Sequence, residues 1–90
     1  MNTYKYMPYY QYNGPTIDNP LREELSLEDQ ERNKLFFYTD VENYFEDDSS
    51  ASVYKEKDGT VVINTILPKE ECDKIVADLL RALDLLAKKI

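Results

Sequence analysis

The chain has 90 residues, its 18 acidic and 11 basic side chains give a net charge of −7, and it contains no histidine and one cysteine. A chain this short buries only about 60 to 65% of its unfolded surface, so we expect a single domain, residues 1–90, with a small stability margin. The negative charge disfavours direct binding to nucleic acid or to an anionic membrane, and one cysteine excludes an internal disulfide. No apolar run approaches the roughly 18 residues of a membrane span and no signal peptide is recognisable, so we expect a soluble, cytoplasmic protein.

The first segment, residues 1–20, is rich in tyrosine and proline. Its tyrosines alternate as in a strand at Tyr4, Tyr6, Tyr10 and Tyr12. Pro8 interrupts this run and restricts it to a sheet edge, because proline has no N–H to donate to a neighbouring strand. We expect a Tyr-rich N-terminal arm that packs on the fold through its rings. An arm that binds a partner is the alternative, since tyrosine offers rigid contact area with a polar tip.

The second segment, residues 21–50, carries three basic and ten acidic side chains, a difference of −7 that equals the net charge of the whole chain. Within this acidic segment, Ser26 followed by Leu27, Glu28 and Asp29 predicts a helix start, with acids in the first turn where the macrodipole favours them. We therefore expect a short helix after Ser26.

The aromatic run at 35–38 either extends this helix or forms a strand, and its aromatic content favours a strand that ends near Thr39. Thr39 and Glu42 also have the spacing of a capping box. A helical turn from Val41 to Phe45 is therefore the alternative local structure.

The third segment, residues 51–90, begins with a hairpin pattern. Asp58-Gly59 separates two runs that suit strands, 52–57 and 60–67, and supplies the positive φ that a tight turn needs. The second run carries apolar groups on both faces, which is typical of a central strand. Pro68 then ends the strand and begins a helix, because the N–H that it lacks has no partner in a first helical turn.

From Cys72 onward the apolar residues recur with the period of a helix, which predicts one long amphipathic helix that reaches Ile90. The apolar positions are 72, 75, 76, 79, 80, 83, 86 and 90. Leu85 lies on the opposite, exposed side of this predicted helix. The expected fold class is α+β: a small antiparallel sheet of about three strands with the C-terminal helix on one face.

The sequence contains no recognisable catalytic constellation. Without histidine it has no side chain with an ordinary pKa suited to acid–base chemistry near neutral pH, so we expect no enzyme activity. We expect no cofactor and no metal: two glycines cannot build a phosphate-binding loop, and the acids of 40–48 lack the register of a calcium loop. Cys72 lies in a first helical turn, where the dipole favours reactivity, but its place in the apolar stripe favours a buried, inert thiol.

The candidate site is the run of acids and aromatics that ends the acidic segment. Its residues are Asp40, Glu42, Tyr44, Phe45, Glu46, Asp47 and Asp48. Carboxylates around exposed aromatic rings complement a surface lined with lysine and arginine. A solvated, solubilising surface is the alternative interpretation.

A very small acidic chain with many tyrosines and no catalytic groups resembles the general profile of phage-encoded inhibitors of host nucleic-acid enzymes or defence systems, a resemblance that no motif carries. We therefore expect an inhibitor that occupies a basic surface of a larger partner protein, including one that normally holds nucleic acid. If phage-encoded, it would act in the host cytoplasm. The alternative is a non-catalytic homodimeric structural or assembly subunit, because apolar groups on both strand faces and a small core favour self-association.

Overall fold

The computed structural model describes residues 1–10 and 13–89 and shows an α+β fold. In chain order its elements are β1 (Asn2–Tyr9), α1 (Leu27–Tyr44), β2 (Ser52–Lys55), β3 (Val61–Thr65), α2 (Lys69–Arg81) and β4 (Leu86–Lys89). The strands form one antiparallel sheet in the order β2-β3-β1-β4. This βαββαβ order is the split βαβ, or ferredoxin-like, topology. The predicted fold class is confirmed, whereas the expectation of about three strands is one strand short.

Both helices pack on the same face of the sheet. Tyr6 lies opposite Val61 and Tyr4 lies opposite Ile63 in the register of β1 and β3, so these side chains project from one face. The buried cluster joins this face to residues of both helices and of the α2–β4 turn: Phe37, Val41, Cys72, Val76, Leu80 and Leu85. The domain is therefore a two-layer structure, and its opposite sheet face is covered by no helix among the described residues.

The first part of the Tyr-rich arm does not pack over the sheet. It forms β1, which is one of the two inner strands. β1 pairs with β3 from Asn2↔Thr65 to Tyr6↔Val61, and with β4 from Tyr6↔Lys89 to Tyr9↔Leu86. Pro8 is tolerated because pairing with β3 has already ended at Tyr6, so at this position the strand has a neighbour on one side only. The predicted edge position is thus wrong for the strand and correct only around Pro8. The Tyr12 part of the predicted alternation lies outside the described residues.

Helix α1 runs without interruption through the aromatic residues that we assigned to a strand. Ser26 caps it as expected, its Oγ accepting from the Asp29 N–H at 3.1 Å. Phe37, Val41 and Phe45 recur every four residues and are buried, so one helical face supplies the apolar contacts that a strand would have supplied. The predicted strand near Thr39 is therefore wrong, and the alternative helical turn is the end of this longer helix.

The hairpin turn and the start of α2 lie where the sequence predicts them. Gly59 has a φ of 96° in the turn between β2 and β3, and Asp58 accepts from the Thr60 N–H at 2.9 Å. Pro68 stands at the N-cap of α2. These features depend on short-range turn and cap chemistry, which the sequence expresses directly.

Helix α2 ends at Arg81, so the predicted helix to Ile90 is wrong, and Ile90 itself lies outside the described residues. Asp84 adopts a left-handed φ of 58°, and the N–H groups of Leu85 and Asp84 donate to the carbonyls of Leu80 and Arg81 at 2.9 and 3.1 Å. This pair of bonds is a Schellman motif, which ends a helix and reverses the chain. Leu85, expected on the exposed side, turns inward and is 2% exposed.

The inward turn after α2 predicts that alanine substitutions at the neighbouring residues Leu85 and Leu86 lower stability by different amounts. Leu85→Ala should lower the free energy of unfolding by about 2 to 5 kcal/mol, because it leaves a cavity beside Leu80. Leu86→Ala, at a side chain that is 41% exposed, should cost clearly less. Urea denaturation of the two variants measures the difference. An equal or smaller loss for Leu85→Ala would contradict the inward turn and support a helix that continues.

Candidate functional site: the acidic end of helix α1

The two halves of α1 differ in how their charges are balanced. In the N-terminal half, Arg32 contacts Asp29 at 2.8 Å and Glu28 at 3.6 Å, and Lys34 contacts Glu31 at 3.2 Å. These acids also lie near the positive end of the helix dipole. The N-terminal half is therefore close to neutral and electrostatically favourable.

The acidic end of α1, which we define as residues 40–48, has no such balance. No basic residue occurs between Lys34 and Lys55 in the sequence. Within the described part of the chain, none of its five carboxylates takes part in an ion pair. The last turn of the helix also lacks a basic residue, although the negative end of the dipole favours cations there. The acidic end is therefore a site where a cation from outside would relieve repulsion.

The aromatic residues of the acidic end differ in accessibility. The Tyr44 side chain is 56% exposed, whereas Phe45 is 6% exposed and belongs to the buried cluster. The two rings meet edge to face, with centroids 5.2 Å apart. The expectation that Phe45 is exposed for partner contact is wrong, because it continues the buried face formed by Phe37 and Val41.

The carboxylates also have different environments. Glu42, Glu46 and Asp47 are exposed, and Asp40 is half-buried. Asp48 accepts from the Ser50 hydroxyl at 2.6 Å and from the Ser50 N–H at 3.0 Å, and these hydrogen bonds hold the pKa of Asp48 below its ordinary value. Asp48 therefore stabilises the turn into β2 as well as adding charge.

Phe36 belongs to the same surface but was not predicted from the sequence. In the helix it stands four residues before Asp40 and eight before Tyr44, so the three side chains lie along one side of α1. Phe36 is 49% exposed. If residues 35–38 had been assigned to a helix, Phe36 would have been predicted to lie beside the acids; the assignment to a strand did not predict this.

An open groove of about 460 Å³ lies between the acidic end and β2. Glu42, Glu46 and Asp48 line it together with the apolar side chains of Phe45 and Val53. An arginine or lysine side chain suits such a lining, because its apolar stem packs on carbon atoms while its charged head reaches carboxylates. The groove therefore places carboxylates next to apolar carbon atoms beside β2.

The rest of the described chain offers little reactive chemistry. Cys72 is fully buried, and burial raises the pKa of its thiol, which agrees with the inert interpretation. Residues 1–10 and 13–89 contain no group of three or more acidic or cysteine side chains arranged to hold a metal ion. Over the same residues, no helix combines the length and apolarity needed to cross a bilayer.

The position of the charges predicts opposite effects at the two ends of α1. Glu42→Gln should raise the free energy of unfolding by about 0.3 to 1 kcal/mol, because it removes a like charge from the negative end of the dipole. The control Glu28→Gln should lower it, because that acid lies at the positive end and contacts Arg32. Both effects should shrink in high salt. Thermal or urea denaturation measures them, and the same sign at both positions would contradict this account.

The sequence matches no family model, and comparisons with curated proteins and with solved structures likewise find no match.

Proposed function

We propose that this protein is a non-catalytic inhibitor that binds a larger protein through the acidic end of α1 and occupies a basic surface of that partner. A surface that normally holds nucleic acid is the kind of target that fits, because its lysines and arginines are arranged to receive a row of negative charges. One observation carries the proposal: five carboxylates lie in and just after the last turn of α1, where the helix dipole disfavours negative charge, and none of them forms an ion pair within the described chain.

A cost of this kind is typical of functional surfaces, because local rules of stability are broken where binding requires it. A solubilising role needs acids on the surface but does not need them at the unfavourable end of a helix. The groove beside Glu42 and Glu46 adds a further reason, since it provides a shaped receptor for a basic side chain.

Attraction and anchoring fall to different residues. Charges act over about 8 to 10 Å near physiological salt, so the carboxylates should govern the association rate and its decline with salt. Surface ion pairs contribute only about 0 to 1 kcal/mol each. The half-exposed rings of Phe36 and Tyr44 are the better anchors, because aromatic side chains dominate the energy of protein interfaces.

The proposal predicts separable kinetic effects once a partner has been purified by affinity capture and identified by mass spectrometry. Neutralising Glu42, Glu46 and Asp47 together, as Gln, Gln and Asn, should lower the association rate and flatten its salt dependence. Phe36→Ala or Tyr44→Ala should instead raise the dissociation rate. Surface plasmon resonance at several salt concentrations measures both rates. Asp48 is left unchanged because its hydrogen bonds to Ser50 support the fold.

A charge-matched control separates this surface from the total charge. Asp18, Glu23 and Glu24 are exposed in the β1–α1 loop, and neutralising these three changes the net charge by the same amount. If the loop variant slows association as much as the α1 variant, only net charge matters and the proposal fails. Full-strength binding by the α1 variant at low salt would also defeat it.

A homodimer remains the second candidate, favoured by the uncovered face of the sheet. By register this face carries Lys5, Met7, Val62 and Tyr54. Val62 is buried and Lys5 and Met7 are half-buried, whereas Tyr54 is 49% exposed. The acidic end belongs to the helix layer, so two copies meeting through their sheets would keep their acids apart. Sedimentation over a wide concentration range decides, because a constant monomer mass excludes this candidate.

A further inference from the structure

A cleft of about 450 Å³ lies between α2 and β4. Its apolar lining consists of Val76, Ala77, Leu80, Leu85, Leu86 and Ala87. This volume falls within the range of ligand pockets, and such pockets typically combine apolar walls with a few polar groups. The acidic end of α1 contributes no residue to this cleft.

The polar groups of the cleft are held at its two ends. At one end the Tyr6 hydroxyl donates to the Asp73 carboxylate at 2.8 Å. Burial raises the pKa of Tyr6 far above its ordinary value, so this hydroxyl stays protonated. At the other end stand Arg22 and Asp84, which come from the β1–α1 loop and from the turn before β4. Arg81, the last residue of α2, also lines the cleft, but its guanidinium contacts Asp78 at 3.1 Å.

Arg22 makes only a long contact within this cleft. Its side chain is only 21% exposed, yet its nearest carboxylate oxygen, on Asp84, is 3.9 Å away, which is beyond hydrogen-bond distance. Among the described residues its guanidinium, with five N–H donors, makes no hydrogen bond. A planar anion such as a carboxylate matches these donors in pairs.

The cleft also runs beside a free strand edge. β4 pairs with β1 on one side, and no strand of the described chain pairs with its other side. An unpaired edge offers backbone N–H and C=O groups to an added strand. A strand added antiparallel to β4, as every pair in this sheet is, ends its chain near Leu86, next to Asp84 and Arg22.

We propose that this cleft binds the C-terminal end of an extended peptide from a partner protein, added antiparallel to β4. The terminal carboxylate pairs with the Arg22 guanidinium, and the last side chain, an apolar one, packs on Val76, Leu80 and Leu85. The site then selects peptides that combine three features: a free C-terminal carboxylate, an apolar last residue and an extended backbone. This site is independent of the function proposed for α1, because it uses different residues beside β4, at the edge of the sheet opposite β2.

The probe is a short N-acetylated peptide of valine and threonine that ends in leucine with a free carboxylate. It is titrated into the ¹⁵N-labelled protein and followed by NMR, with the same peptide as its C-terminal amide for comparison. The free acid should shift the amide signals of β4 and of the cleft-facing side of α2, and the amide should bind about tenfold or more weakly. N-acetyl-leucine alone should bind far more weakly than the peptide, because it cannot add a strand.

Two variants and two controls make the test specific. Arg22→Gln should reduce binding of the free acid to the level of the amide, whereas Arg32→Gln on α1 should not. Ala77→Leu, an exposed position of α2 that lines the cleft, should abolish binding by filling it. Lys74→Leu, exposed on α2 outside the cleft, should leave binding unchanged. The spectra of the free variants show whether each one folds.

Three results would overturn the proposal. No saturable shift up to millimolar peptide means that no such site exists. Equal affinity of acid and amide means that Arg22 does not recognise the chain end. Binding of N-acetyl-leucine as tight as that of the peptide means that the cleft takes small carboxylates without strand addition.

Discussion

The pairing of β1 with β3 is the interaction on which the rest of the structure depends. It sets Tyr6 opposite Val61 and Tyr4 opposite Ile63, and these side chains form the floor on which both helices pack. Because side chains alternate along a strand, a shift of one residue would turn this floor outward. The hydrogen bond from Tyr6 to Asp73 then ties the floor to α2, so register, core and helix position are coupled.

The charges of α1 show a division between stability and binding within one helix. Its first half follows the rules for a stable helix: a serine cap, acids in the first turn and ion pairs three and four residues apart. Its second half has buried apolar residues on one face but acids at the wrong end of the dipole. The burial of Phe37 and Val41 stabilises this half of the helix and offsets its unfavourable electrostatics.

Local chemistry made part of this structure predictable. The Asp58-Gly59 turn, the Ser26 cap and the helix start at Pro68 each depend on a few adjacent residues, and the sequence displays them directly. The inner position of β1 depends on partners some sixty residues away, as the Tyr4↔Ile63 pair shows, and a local rule for Pro8 pointed to an edge. The end of α2 depends on one left-handed aspartate, Asp84, whose residue type does not reveal its conformation.

The candidate site was predictable in the same uneven way. Charge counting located the carboxylates, because composition needs no three-dimensional information. Of the site's two aromatic residues, Tyr44 is exposed as expected but Phe45 is buried, because exposure depends on which helical face meets the sheet. Because α1 is continuous, Phe36, to which no role was assigned from the sequence, is half-exposed on the side of the helix that carries Asp40 and Tyr44.

The inner place of β1 also bears on how the chain folds during its synthesis. β1 leaves the ribosome before the two strands that pair with it, because β3 begins at Val61 and β4 at Leu86. Until then its tyrosines and its two unpaired edges remain available to other chains. Sheets closed by such distant partners tend to fold slowly and to aggregate on the way. Expression at low temperature or with abundant chaperones should therefore favour the native protein over aggregates.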